Sequence, residues 1–130
     1  MIEYRVGNDL DLDQVIALYR ASTLGERRPV DDRERMRGML RNANLVITAW
    51  DGDLLVGISR SLTDFVYVTY LSDLAVRESY QRQGIGKELV RRTRSEAGPD
   101  TGIVLLSAPK AVDYYPRIGF THHPQAWILR

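Results

Sequence analysis

The chain has 130 residues, of which 44% are hydrophobic and 27% charged, and this size and composition are typical of one globular domain with a single core. The net charge of +1 gives no reason to expect nucleic acid or an anionic membrane as a partner, and the absence of cysteine excludes disulfides, thiolate zinc sites and a cysteine nucleophile. No signal-peptide pattern and no apolar run near the ~20 residues of a membrane span is visible, so we expect a cytoplasmic protein with one domain over residues 1–130.

The first part of the chain predicts one strand and two helices. Residues 2–6 alternate apolar and polar side chains, as a short strand does, and apolar residues recur at helical spacing over residues 12–19. Residues 23–30 contain Gly25 and Pro29, which favour a loop. A second helix is predicted over residues 31–43, because its acids come first and its arginines later, as the helix dipole prefers.

The rest of the chain is richer in strands. Asp51-Gly52 is a tight-turn signature between two β-like runs and predicts a hairpin. The longest β-like run ends at Val76, and a helix follows it as far as Gly98-Pro99. Beyond that we expect a short buried strand, a brief helix shortened by Pro116, and final strands at residues 119–120 and 125–130. The order predicts a mixed α/β domain in which antiparallel strands precede a β-α-β unit.

A glycine-containing stretch at the start of the third helix is the most informative part of the sequence. Its pattern is Gln81-x-x-Gly84-x-Gly86-Lys87. The nucleotide P-loop requires a glycine where Gln81 stands, so that motif fails, and the dinucleotide fingerprint requires a third glycine that is absent. A helix N-terminus offers unpaired N–H groups and a partial positive charge, and glycines leave room beside them. The stretch therefore predicts a phosphate-binding turn, unless its glycines only serve to enter a helix.

Two motifs together resemble those of the GNAT superfamily of N-acetyltransferases. Leu74-Ala75-Val76 ends the strand before the glycine stretch, as the family's fourth strand does. Downstream, Tyr114-Tyr115-x-x-x-Gly119-Phe120 matches the family's aromatic-Tyr-x-x-x-Gly-Phe signature. The resemblance covers nearly the whole chain and implies a mixed α+β GNAT fold. That fold has a mostly antiparallel sheet of six to seven strands, with strands four and five splayed and about four helices around it.

The resemblance implies acetyl-CoA as cosubstrate and no metal. The end of the fourth strand would pair with the pantetheine arm, the glycine stretch would bind the pyrophosphate, and a tyrosine would pack against the cofactor or the core. The implied cofactor residues are Leu74, Ala75, Val76, Gln81, Arg82, Gln83, Gly84, Ile85, Gly86, Lys87 and Tyr114.

The resemblance also implies three catalytic groups for the attack of an amine on a thioester. The N–H of Leu74 would stabilise the carbonyl oxygen, and Tyr115 would protonate the leaving thiolate. Asp73 is the carboxylate on the predicted fourth strand, so it is the candidate base, although it can instead bond backbone where the strands splay. His122 and His123 are adjacent in a predicted strand and would face opposite sides, so we do not expect them to chelate one metal ion.

Acceptor recognition is assigned to the loop between the first two helices and to the third and fourth strands. Arg60 interrupts an apolar strand, which is costly unless it faces a cleft or has a partner. Asp64 is close enough in sequence to be that partner, and we leave the structural pair and the substrate-binding role open. The candidate substrate-binding residues are Arg27, Arg28, Arg60, Asp64, Tyr70 and Ser72.

Two other functional classes compete with an acetyltransferase that modifies a primary amine of a small molecule or peptide. One is a non-catalytic acyl-CoA-binding regulator of the same fold, which the retained Tyr115 argues against. The other is a nucleic-acid module using the basic residues of the third helix, which the near-neutral charge argues against. We expect an amine acceptor as the partner, no nucleic acid and no membrane, and family likeness raises the prospect of a homodimer.

Overall fold

Five strands and three α-helices make up the fold in a computed structural model that describes all of residues 1–130. In chain order they are β1 (Glu3–Val6), α1 (Leu12–Arg20), α2 (Arg33–Asn42), β2 (Leu45–Asp51), β3 (Leu54–Thr63), β4 (Val68–Val76), α3 (Ile85–Ala97) and β5 (Gly102–Val104). Short 3-10 turns lie at Thr23–Arg27, Glu78–Tyr80, Pro109–Ala111 and Tyr115–Ile118. The longest helix, α3, has 13 residues, and no helix is long and apolar enough to cross a membrane.

The strands form one sheet in the order β1-β2-β3-β4-β5. The first four strands pair antiparallel with one another. The helices α1 and α2 connect β1 to β2, and short turns connect β2 to β3 and β3 to β4. β5 pairs with β4 in parallel, after the crossover through α3. The sheet is therefore antiparallel up to a final β-α-β unit, as the order of elements predicted.

Apolar side chains cover both faces of the sheet. One core lies beneath α1 and α2, where Leu18 and Tyr19 are almost fully buried. The second lies beneath α3, where Leu89 packs against residues of β2 and β3 such as Ile47 and Val56. The sheet with its two helical layers is the arrangement that buries the apolar stripe of each helix.

The C-terminal quarter departs from the predicted elements. The structure has five strands rather than six to seven and three α-helices rather than four. Residues 109–118 form only 3-10 turns, because Pro116 lacks the N–H that an α-helix beginning at Pro109 would donate to the Val112 carbonyl. Residues 119–130 form no strand, and β5 is a half-exposed edge strand rather than a buried one, since no strand covers its outer edge.

Candidate active site

Strand β4 loses its neighbour after the first three of its nine residues. Its parallel pairing with β5 covers only Val68 to Tyr70, opposite Gly102 to Val104. The remaining residues of β4, 71–76, continue to pair with β3 but have no strand on their other edge. The two strands therefore splay and leave a gap along β4.

The register shows which backbone groups face that gap. The N–H of Arg77 donates to the carbonyl of Val56, so this position is a hydrogen-bonded pair. Such pairs alternate with non-bonded ones in an antiparallel ladder, which puts Leu74 and Val76 at sites whose N–H and C=O groups point away from β3. The Val76 carbonyl accepts a bond of 3.0 Å from the side-chain amide of Gln81, which ties the following loop to the strand.

The loop before α3 presents a row of free backbone donors. Arg82 and Gly84 both have left-handed backbones, with φ of 65° and 82°. None of the six N–H groups from Arg82 to Lys87 donates to a protein acceptor. The side chains of Arg82 and Lys87 are exposed and make no ion pair. Consecutive N–H groups in such a turn, at the positive end of a helix dipole, form an anion-binding concavity.

The two glycines of this loop serve different purposes. At Gly84 a side chain would meet nothing within 4 Å, so the space above it is open. At Gly86 a β-carbon would clash with the hydroxyl of Tyr114. A side chain at position 86 would therefore have to displace the Tyr114 ring, which occupies the space beside this glycine.

Tyr115 lies beside Tyr114 and Phe120 in edge-to-face contact, with ring centroids 5.3 and 5.5 Å apart. Burial, with a further contribution from Tyr114, raises the pKa of Tyr115 to about 12, while the charge of Arg28 acts in the opposite direction. The phenol therefore holds its proton at neutral pH.

A β-bulge in β4 turns Asp73 towards the helices α1 and α2. Arg60 pairs with Asp73, but the next residue of β3 pairs with Leu71, so Ser72 is an extra residue. Before the bulge, the side chain of Thr69 lies on the face of the sheet that α3 covers, where it contacts Thr101. Strict alternation along the strand would place Asp73 on that same face. The additional residue reverses the alternation and brings Asp73 to the opposite face.

The carboxylate of Asp73 is fully buried and accepts hydrogen bonds on both oxygens. Arg28 Nε donates to Oδ1, and Arg60 Nε and Tyr19 Oη donate to Oδ2, all at 2.6 Å. The hydroxyl of Ser72 lies 3.3 Å from Oδ1. We call these five residues, Tyr19, Arg28, Arg60, Ser72 and Asp73, the Asp73 network.

Charge and burial act against each other in this network. Burial alone would raise the pKa of Asp73, but the hydrogen bond and charge of Arg60, with help from Tyr19 and Arg28, hold the pKa below its usual value. Burial, together with the charge of Asp73, raises the pKa of Tyr19 well above that of a free phenol. Asp73 is therefore ionised, and Tyr19 is a neutral donor.

The network corrects one sequence-based pairing. Arg60 has a partner, as its position in an apolar strand required, but that partner is Asp73 and not Asp64. The carboxylate of Asp64 accepts instead from the N–H groups of the β3–β4 turn that follows it, because residues 66–68 curl around it. Arg60 itself is buried and uses its remaining groups on the Met39 carbonyl and the Ser72 hydroxyl.

Other candidate residues lie apart from the network. Tyr70 and Asp64 line a groove of about 380 Å³ at the far ends of β3 and β4, with Asn42 and Asn44. Arg27 is exposed, and its carbonyl accepts from Arg28 Nη1 at 2.9 Å. His122 and His123 are exposed in the C-terminal segment.

Tyr19 is a member of the network that the sequence did not reveal. It occupies an apolar position of α1, where a tyrosine is indistinguishable from any core aromatic. Only the packing of α1 against β4, which brings its hydroxyl to Asp73, distinguishes it.

Replacing Asp73 by Asn should destabilise the protein strongly. Asp73→Asn removes the charge that balances Arg60 and Arg28, and stranding a buried ion typically costs about 3–5 kcal/mol. Urea titration measures the free energy of unfolding, with Glu3→Gln as control, because Glu3 forms only an exposed pair with Arg5 worth at most about 1 kcal/mol. A loss for Asp73→Asn no larger than for the control would contradict the network.

The lowered pKa of Asp73 makes the free energy of unfolding depend on pH. A carboxyl with a lower pKa in the folded state contributes stability above its ordinary pKa of about 4 and loses it as pH falls through the folded-state value. Wild type should therefore lose more stability than Asp73→Asn when titrated from neutral pH to acid. Equal losses in the two proteins would contradict the low folded-state pKa.

The contact between Gly86 and Tyr114 predicts opposite effects for two helical glycines. Gly86→Ala should destabilise the protein by about 1–3 kcal/mol through overpacking, whereas Gly38→Ala in α2, where a β-carbon meets nothing, should stabilise it by about 0.5–1 kcal/mol. Thermal unfolding measures both. Adding Tyr114→Phe, which removes the clashing oxygen, should restore most of the loss in Gly86→Ala, and a failure to do so would assign that loss to another cause.

Comparisons with known proteins agree on one family. The family model of the acetyltransferase (GNAT) domain matches residues 20–127. An uncharacterised N-acetyltransferase, ycf52-like, of Prochlorococcus marinus is 31% identical over 106 residues, or 76% of this chain and 57% of that protein. The chain spans between 28% and 57% of the length of four curated relatives.

Solved structures share the fold over the whole chain. A GNAT-family acetyltransferase of Streptococcus pneumoniae, 28% identical, superposes with a TM-score of 0.75 over 100% of this chain and 99% of its own. An aminoglycoside N-acetyltransferase solved with CoA has the same fold at 16% identity, with a TM-score of 0.76 over 100% of this chain and 94% of that one. With the family model matched along most of its length, this chain belongs to the GNAT acetyltransferase family.

Proposed function

We propose that the chain is an N-acetyltransferase that transfers the acetyl group of acetyl-CoA to a primary amine of a small molecule or peptide, by direct attack in a ternary complex. The observation that carries the proposal is the row of six free N–H groups from Arg82 to Lys87, beside the open edge of β4. Family membership and the CoA bound to a protein of the same fold support it further.

The residues present fit a pyrophosphate and its pantetheine arm. Residues 82–87 offer unpaired donors, two free cationic side chains and open space above Gly84. Leu74 and Val76 direct backbone groups to the gap, where an extended amide-containing arm can pair like an added strand. The ring of Tyr114, which contacts Gly86, would pack beside the pantetheine arm and would not bind a phosphate.

The chemistry requires a donor for the carbonyl oxygen and a proton for sulfur. Acetyl-CoA supplies a thioester, whose C–S bond breaks as the C–N bond to the amine forms. The Leu74 N–H would donate to the thioester oxygen as it gains charge. Tyr115, which keeps its proton because burial raises its pKa to about 12, would donate that proton to the departing sulfur. The nitrogen releases one proton as the amide forms, and reprotonation of the phenolate then restores Tyr115, so protons balance over the cycle.

We propose that Asp73 positions the site and does not act as the base. Both of its oxygens already accept from charged or phenolic donors, and its side chain has no exposed surface. A carboxylate with a lowered pKa in such a network is a weak proton acceptor. The amine would therefore lose its proton to solvent before it attacks, and the rate should rise with pH up to the pKa of the bound amine.

Binding of acetyl-CoA can be tested with two nearly isosteric variants of the loop. Asn and Asp both tolerate the left-handed backbone of Gly84, but only Gly84→Asp places a negative charge against a pyrophosphate. We expect acetyl-CoA to raise the melting temperature of wild type and of Gly84→Asn, and to bind Gly84→Asp at least about 10-fold more weakly by calorimetry. Equal affinities for the two variants would place the pyrophosphate elsewhere.

Turnover can be tested at Tyr115. Tyr115→Phe keeps the ring but removes the proton, so kcat for CoA release should fall by about 100-fold with little change in acetyl-CoA affinity. Tyr67→Phe, on the exposed β3–β4 turn, is the matched control. Because the pKa of Tyr115 is about 12, wild type should show no loss of rate from its ionisation below about pH 11.

Each result has a distinct meaning. An unchanged kcat in Tyr115→Phe, measured where chemistry limits the rate, would remove Tyr115 from the acid role. Acetyl-CoA binding without CoA release for any amine, amino sugar, polyamine or peptide would favour the non-catalytic acyl-CoA-binding regulator instead.

A further inference from the structure

We propose that Arg28 binds an acidic group, a carboxylate or a phosphate, on the acceptor, so that the preferred acceptor carries both an amine and an acid and is not a polycation. This inference rests on the proposed acetyl transfer and concerns only which amine is accepted. It is carried by the charge balance of the Asp73 network, by the unused donors of Arg28 and by the place where they lie.

The Asp73 network carries an excess positive charge. It contains two guanidinium groups and one carboxylate, and its phenol is neutral because burial and Asp73 raise the pKa of Tyr19. No other carboxylate lies within 4 Å of Arg28 or Arg60. One carboxylate balances only one of the two guanidinium charges, and an anionic ligand would balance the other when it binds.

The two arginines use equal numbers of donors but differ in exposure. Each of the three nitrogens of Arg60 donates once to a protein acceptor, and because this side chain is buried its remaining hydrogens do not face solvent. The side chain of Arg28 is 22% exposed. Its Nη1 donates to the Arg27 carbonyl and its Nη2 to the Ser72 carbonyl, which leaves one hydrogen on each terminal nitrogen. Two such hydrogens can bind the two oxygens of an acid.

Arg28 lies beside the stretch of β4 that the proposed reaction uses. Its bond to the Ser72 carbonyl places it at the bulge, two residues before Leu74, and its charge acts against the burial that raises the pKa of Tyr115. The three acids of the loop between α1 and α2 are engaged elsewhere, since Glu26 lies 3.8 Å from Lys110, Asp31 pairs with Arg20, and Asp32 caps α2. None of them pairs with Arg28.

The experiment compares acceptors that differ only in an acid. CoA release is measured with β-alanine against β-alaninamide, with O-phosphoethanolamine against ethanolamine, and with spermidine as the polycation. We expect kcat/KM for the acidic member of at least one pair to exceed that of its neutral partner by about 10-fold or more, through KM, with spermidine the poorest. The pair with the larger ratio of kcat/KM shows whether the site prefers a carboxylate or a phosphate.

Three variants test whether Arg28 is responsible. Arg28→Gln should reduce the acid preference to within about 3-fold, and Arg28→Lys, which keeps the charge but not the fork of donors, should retain part of it. Arg35→Gln is the control, because Arg35 is an exposed arginine of α2 with no side-chain partner. The preference is a ratio within one variant, so any loss of stability or of overall rate cancels.

The outcomes separate the two proposals. Turnover without an acid preference, or a preference that survives Arg28→Gln, overturns the role of Arg28 and leaves acetyl transfer intact. If no acceptor turns over, calorimetry of β-alanine and O-phosphoethanolamine against protein saturated with CoA decides. Binding to wild type but not to Arg28→Gln supports the acid site while acetyl transfer fails, and no binding of either compound overturns the acid site as well.

Discussion

The buried carboxylate of Asp73 is the constraint on which the packing of the α1–α2 loop against β4 depends. It connects segments that are distant in sequence, since Tyr19 comes from α1, Arg28 from the following loop and Arg60 from β3. A buried ion pair roughly breaks even against an apolar core, but losing one partner is expensive. The network therefore adds little net stability and fixes the α1–α2 loop against β4 instead.

One irregularity in β4 directs neighbouring side chains of the strand to both faces of the sheet. The additional residue at Ser72 directs Asp73 to the helices α1 and α2, while Leu74 returns to the face covered by α3. The same strand leaves its outer edge open beyond Tyr70. Two carbonyls of this stretch accept hydrogen bonds from side chains: Arg28 donates to Ser72, and Gln81 donates to Val76. These bonds hold the open edge of β4 at the bulge and at the last residue of the strand.

Local patterns in the sequence predicted the glycine loop, the strand before it and the tyrosine pair, because each is a short motif with its own backbone requirement. They could not predict the Asp73 network, since nothing in the neighbourhood of Arg60 favours a partner 13 residues away over Asp64. The bulge that brings Asp73 to Arg60 depends on the pairing of β3 with β4, which a local pattern does not contain. The prediction of C-terminal strands was wrong, because residues 119–130 pair with neither of the two free edges of the sheet.

The charge of Arg28 would act on three groups of the proposed reaction in the same direction. It attracts an acid on the acceptor, which brings the amine to the bulge. A cation near an amine disfavours the ammonium form and so lowers the pKa of the amine, which compensates for the lack of a free carboxylate base. It also lowers the pKa of Tyr115, which burial raises, and so makes the phenol a better proton donor to sulfur. An acidic acceptor would partly neutralise Arg28 on binding, so the last two effects are largest when its acid lies on the side of the guanidinium away from Tyr115.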